Sequence, residues 1–186
     1  VQILRQTAED AEIQAAGWAI VWRRSDAGRG KANAYGNGIA AADGMAVLDV
    51  ALGQHAESSA VLEHALHAAF ILCRGGSEKD NKGAFVSAGG IAAVLRGMEA
   101  HAGDAGAQEN GCGVLLNLAL KSGERNAAVV TAGGIVAVVR AMGAHAGSAG
   151  VQMRGCGALA SPAPRSSRCS GRAPGALSSM RSPGTL

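Results

Sequence analysis

Apolar side chains recur along this chain at intervals of three and four. Ile91, Val94, Leu95 and Met98 fall at i, i+3, i+4 and i+7, one face of a helix. Ile135, Val138, Val139 and Met142 repeat that face 44 residues later, and Met45, Leu48 and Leu52 repeat most of it 46 residues earlier, with Asp49 where the pattern has Leu95. A longer helix is expected after each such stripe, near 105–121 in the best-preserved copy. A short helix is expected before each glycine pair, near 79–88 and 124–132, with Phe85 and Val129 equivalent. Gly89-Gly90 and Gly133-Gly134 stop those short helices, because glycine takes the left-handed turn conformation at little cost.

The pattern belongs to a repeat. Residues 88–116, AGGIAAVLRGMEAHAGDAGAQENGCGVLL, are nearly copied by 132–160, AGGIVAVVRAMGAHAGSAGVQMRGCGALA, at a constant offset of 44. A weaker copy runs from Asp43 to Leu72, with His55 matching His101 and Glu63 matching Glu109 at an offset of 46, and a partial copy, AEIQAAGWAIVW, places Gln14 where Gln108 sits. A period in this range belongs to stacked two- or three-helix units, each with an apolar stripe that only a neighbouring unit can cover. The expected organisation is a partial first repeat with a long connecting loop (1–42), repeats at 43–88 and 89–132, a truncated repeat at 133–160, and a Pro/Ser/Arg-rich tail at 161–186. The column Trp18, Leu66, Cys112, Cys156 stays apolar while its size changes, as a core position does; Ile91, Leu95, Met98, Ile135, Val139 and Met142 are expected in the core with it. The GCG triplets at 111–113 and 155–157 put glycines inside the long helix at a cost of about 1 kcal/mol each against alanine, which points to close approach of neighbouring helices.

The short–medium–long helix order, the AGGI turn and the NLAL ending at Asn117–Leu120 resemble the armadillo repeat family over about residues 11–160. The resemblance implies an all-α fold, a right-handed solenoid of three-helix repeats, whose long helices line a concave groove. In peptide-binding members an Asn near the end of each long helix bonds the backbone of an extended peptide, and Asn117 matches that residue. Arg23, Ile71 and Ser161 stand at its equivalents. The Trp that importin-like members carry one turn earlier is replaced by Gly113, with Ala19, His67 and Gly157 as counterparts, so the Asn/Trp ladder is absent. On this resemblance the candidate partner-binding residues are Asn117, His67 and Gly113.

Composition narrows the function. Charged residues are 17% and aromatics 3%, a composition that points to close-packed helices with small side chains. The net charge of +3 comes from Arg165, Arg168, Arg172 and Arg181 in the tail; the other 160 residues hold 13 basic and 14 acidic groups. The repeat body therefore has no basic stripe for phosphate backbones, and nucleic acid is not an expected partner. No run of apolar residues is long enough for a membrane span. Cys73, Cys112, Cys156 and Cys169 form no CxxC pair, and reduced thiols in a cytoplasmic or nuclear protein are the expectation. The chain begins at Val1, which leaves a lost targeting segment open.

Little else points to chemistry. His55, His101 and His145 recur at the end of the medium helix, but stacked units hold equivalent residues roughly 10 Å apart, too far for one metal ion with ligands ~2 Å away. They are expected to interact with the last carbonyls of their own helices. Gln14, Gln108 and Gln152, with Glu63 and Glu109, are expected to cap or solubilise the first turn of the long helix. His64 and His67 share a helix face but lack acidic partners. The segment DAGRGKANAYGNG fails the P-loop pattern, since Ala32 follows Gly30-Lys31 and Ser25 stands in the first glycine's place. No GxSxG and no Cys/His/Asn set is present. The expectation is thus a non-catalytic chain without cofactor or metal, a scaffold that binds another protein, as an extended peptide or a helix, along its concave face. A second reading makes it a non-catalytic regulatory fragment of a larger enzyme of kinase or ubiquitin-ligase type. All four prolines lie after residue 160, so the tail reads as disordered: either a basic docking segment or the product of a shifted reading frame.

Overall fold

The computed structural model describes residues 1–26, 44–74, 80–120 and 122–160. The tail from 161 and the whole GRGKANAYG connection lie outside them. All regular structure in the described residues is helical: α1 (Gln2–Gln6), α2 (Ala11–Asp26), α3 (Gly44–Gln54), α4 (Ser59–Arg74), α5 (Asp80–Ser87), α6 (Gly90–Ala100), α7 (Ala105–Ala119), α8 (Gly123–Thr131), α9 (Gly134–Ala144) and α10 (Ala149–Ala160).

Local chemistry sets these boundaries. Gly89 and Gly133 both take φ 91°, the left-handed conformation, and α8 and α9 meet there at 69°. The second glycine of each pair makes room for the short helix: a Cβ on Gly90 would lie 2.5 Å from the Phe85 ring, and one on Gly134 equally close to Val129 Cγ1. Each long helix opens on a side-chain oxygen that accepts from the backbone of its first turn. Asp10 accepts from Ile13 N–H at 3.0 Å, Ser58 from Val61 at 3.5 Å, Asp104 from Gly106 at 2.8 Å, and Ser148 from Val151 at 3.4 Å. Replacing such a cap by alanine typically costs about 1 kcal/mol.

The long helices pack in chain order, α2 on α4, α4 on α7 and α7 on α10, and the medium helices follow the same order, α3 against α6 and α6 against α9. One core runs through them, with Trp18, Leu48, Leu52, Leu62, Leu66, Leu115 and Leu118 fully buried. The expected column holds for Trp18, Leu66 and Cys112, all buried, and for Ile91 and Met98; Leu95 and Met142 are half-buried against the core. It fails in the last copy. Cys156 is exposed, and Ile135 and Val139 keep 46% and 54% of their surface. Their equivalents are covered by a following unit; among the described residues no helix stacks on the far side of α9 and α10.

Candidate functional site

Two polar devices recur along the array, one within each unit and one between neighbouring units. The Nε2 of Gln108 donates to the carbonyls of Met98 at 2.7 Å and His101 at 2.9 Å. Gln14 does the same with Leu4 and Thr7, and Gln152 with Met142 and His145. These glutamines do not solubilise the first turn of the long helix. They are inserted into the turn before it, Gln14 and Gln108 fully buried, and satisfy orphan carbonyls at the end of the medium helix.

The histidines also differ from expectation. Each reaches out of its own unit. His55 Nε2–H donates to the Ala8 carbonyl at 2.6 Å, His101 to Ala56 at 2.6 Å, and His145 to Ala102 at 2.8 Å. The acceptors Ala56 and Ala102 follow the equivalent histidine one unit earlier. A carbonyl in the turn after the helix is already free of intrahelical bonding, so a neighbour's side chain can take it.

A side-chain cluster spans three long helices. Arg154 of α10 lies with its guanidinium carbon 4.0 Å from the centroid of the Phe70 ring of α4. On the way it crosses α7, where its Nη2 meets Glu109 Oε1 at 2.8 Å and its Nη1 donates to Asn110 Oδ1 at 3.2 Å. His67 meets the edge of Phe70 with ring centroids 6.2 Å apart and planes at 82°. Gly113 makes the crossing possible: a Cβ there would lie 2.7 Å from Phe70 Cδ2 and 2.9 Å from Arg154 Nη1. Planar guanidinium stacking together with a bonded carboxylate suits arginine alone among the cations.

Of the three sequence-derived partner-binding candidates, His67 and Gly113 fall in or beside this cluster. Asn117 is placed differently from what the resemblance implies. It is 7% exposed, and its Nδ2 donates to the Phe70 carbonyl at 3.2 Å, so its amide is used between α7 and α4. Phe70, Asn110 and Arg154 were not singled out from the sequence. The available signal was at positions 109–110 against 153–154, where Glu-Asn becomes Met-Arg between otherwise near-identical copies.

Two of the thiols, Cys73 and Cys112, are buried. Burial pushes Cys73 up to about 12 and Cys112 up to about 11, against smaller opposing pulls from Lys82 and Arg125 on the first and Arg154 on the second. Among the described residues no three His, Cys, Asp or Glu side chains gather to hold a metal ion. No single described helix is long and apolar enough to cross a membrane.

No protein-family profile and no curated protein matches the chain. Among solved structures, the crystal structure of an engineered protein, Northeast Structural Genomics Consortium Target OR329, is similar at a TM-score of 0.70 and 23% identity, over 85% of this chain. The chain spans 60% of that protein's length. At this identity the likeness speaks for the helical fold alone.

Proposed function

We propose that this chain is a protein-binding scaffold, a right-handed solenoid of armadillo-like units whose long helices present one continuous face to a partner segment. The reading is supported above all by the Phe70–Arg154 stack, which ties three successive long helices into a shared polar and aromatic surface. Half-buried aromatic and arginine side chains backed by a rigid scaffold are the residue types that dominate protein–protein binding energy. An extended peptide or a helix would lie across α4, α7 and α10, with its backbone or acidic groups near His67 and Arg154. Asn117 serves such a face from behind, by fixing α7 against α4.

The test is selection of peptides from a random display library on the immobilised chain, followed by affinity measurement on Arg154→Ala, His67→Ala, Asn117→Ala and the remote control Glu124→Gln. Selected peptides lose about tenfold or more in affinity on Arg154→Ala, as removal of a central interface arginine does, and are unaffected by the control. Peptides indifferent to both Arg154→Ala and His67→Ala would overturn the reading.

A further inference from the structure

The medium helices do not stay equally close along the array. Between α6 and α9 a cleft of about 460 Å³ opens, within the range of small-molecule sites. Its walls are apolar, with Leu95 and Met98 on one side and Val136 and Ala137 on the other, and Glu99 and Arg140 stand at its rims.

The preceding interface shows what is missing. There α3 and α6 meet with the equivalent space filled by the chain itself. Leu62 reaches over Gly97, its Cδ1 only 2.6 Å from where a Cβ would stand. Asp49 supplies a carboxylate over Gly89, and Arg96 acts electrostatically on that carboxylate. One unit later Leu62, Gly97 and Asp49 are exchanged, while Gly89 and Arg96 are kept as Gly133 and Arg140. Gln108 replaces Leu62; it lines the cleft but spends its amide on the carbonyls of Met98 and His101. Ala141 replaces Gly97 and lines the cleft. Leu95 replaces Asp49, and no atom lies within 4 Å of a Cβ built on Gly133. Arg140 keeps the position of Arg96 but, among the described residues, has no ion-pair partner. An aliphatic body and one negative charge are absent together.

We propose that this cleft binds a monocarboxylate with a medium-length aliphatic chain, the alkyl part lying against Leu95, Met98, Val136 and Ala137 and the carboxylate pairing with Arg140. The ligand restores the aliphatic volume of Leu62 and the charge of Asp49. A guanidinium pairs well with a carboxylate through paired N–H donors. Glu99 on the opposite rim repels a second negative group, so one carboxylate is the limit. The site is distinct from the long-helix face and does not depend on it.

The experiment is titration of the full chain with decanoate below its micellar concentration, followed by methyl NMR. Decanol, decylamine and decanedioate are the comparison ligands, and Arg140→Gln, Glu99→Gln and the cleft-filling Ala137→Phe are the variants. Decanoate binds with shifts centred on the Ala137, Ala141 and Val136 methyls. It loses about tenfold in affinity on Arg140→Gln, a surface change that leaves the fold intact, and gains on Glu99→Gln. Decanol and decanedioate bind more weakly. Decylamine binding as tightly as decanoate, or affinity unchanged by Arg140→Gln, would overturn the proposal. So would shifts centred instead on the exposed end face at Ile135, Val139 and Leu159.

Discussion

The Nε2 of His101 lies 2.6 Å from the carbonyl oxygen of Ala56, 45 residues earlier in the chain. His55 and Ala8, and His145 and Ala102, make the same contact. The array thus uses one side chain per unit to grip the turn of the unit before it. A part-buried hydrogen bond of this kind contributes about 1 kcal/mol net. His101→Ala is therefore expected to lower unfolding free energy by about 1–2 kcal/mol in urea melts. Leu66→Ala, fully buried between long helices, is expected to cost about 2–5 kcal/mol. Packing dominates the unit interface and the histidine specifies its register; a His101→Ala loss equal to that of Leu66→Ala would reverse this ranking.

Gly113 and Gly157 are equivalent by sequence and unequal by surroundings. A Cβ at Gly113 meets the Phe70 ring at 2.7 Å and the Arg154 head at 2.9 Å, whereas one at Gly157 meets only the flexible tip of Leu116 at 3.0 Å. Alanine gains about 1 kcal/mol of helix propensity at either place, and overpacking at Gly113 costs about 1–3 kcal/mol. Thermal unfolding should show Gly157→Ala neutral or stabilised and Gly113→Ala destabilised, with loss of the Arg154–Phe70 stack visible in the Phe70 ring shifts.

Thiol reactivity should separate the cysteines. With values near 12 and 11, Cys73 and Cys112 are ionised to about one part in a thousand or less at pH 8. In a Cys169→Ser background, which removes the cysteine outside the described residues, Cys156 is expected to react with an aromatic disulfide reagent in the native state. Cys73 and Cys112 should react only as the chain unfolds. Native labelling of Cys112 would mean that α10 does not cover α7.

Asp49 carries a pH signature. Its Oδ1 is buried without a hydrogen-bond partner, and desolvation raises its carboxyl above 3.8 against the opposing pull of Arg96. The folded state therefore binds this proton more tightly than the unfolded chain. Its contribution to stability is full below pH 3.8 and lost as pH rises through the folded value. Asp49→Asn should accordingly be more stable than the parent at pH 7, with the advantage vanishing below pH 3.8. An advantage that persists in acid would assign the effect to packing.

The helices were legible because two independent signals agree. Apolar positions such as Ile91, Leu95 and Met98 set the helical period, and Gly89-Gly90 and Gly133-Gly134 set the boundaries, so α6 and α9 fall where the pattern puts them. Ile135, Val139 and Cys156 are exposed although their residue types fit the core, because repeat equivalence carries residue type but not whether a neighbour follows. The histidine contacts were illegible for a different reason. Their partners are backbone carbonyls in another unit, and a carbonyl leaves no mark on residue type at Ala56 or Ala102. Arg154 and Phe70 are 84 positions apart on two helices separated by a third, and only the packing order brings them together.

The long helices stand side by side in chain order, α2, α4, α7, α10. Spin labels at Glu12, Ala60 and Ala149, in the first turns of α2, α4 and α10, test it most directly by pulsed electron resonance. At about 10 Å per packed helix the account predicts roughly 10 Å between the first two labels, roughly 20 Å between the second and third, and about 30 Å between the outer two, before label length is added. An outer pair as close as the adjacent pair would mean a closed bundle and would contradict it.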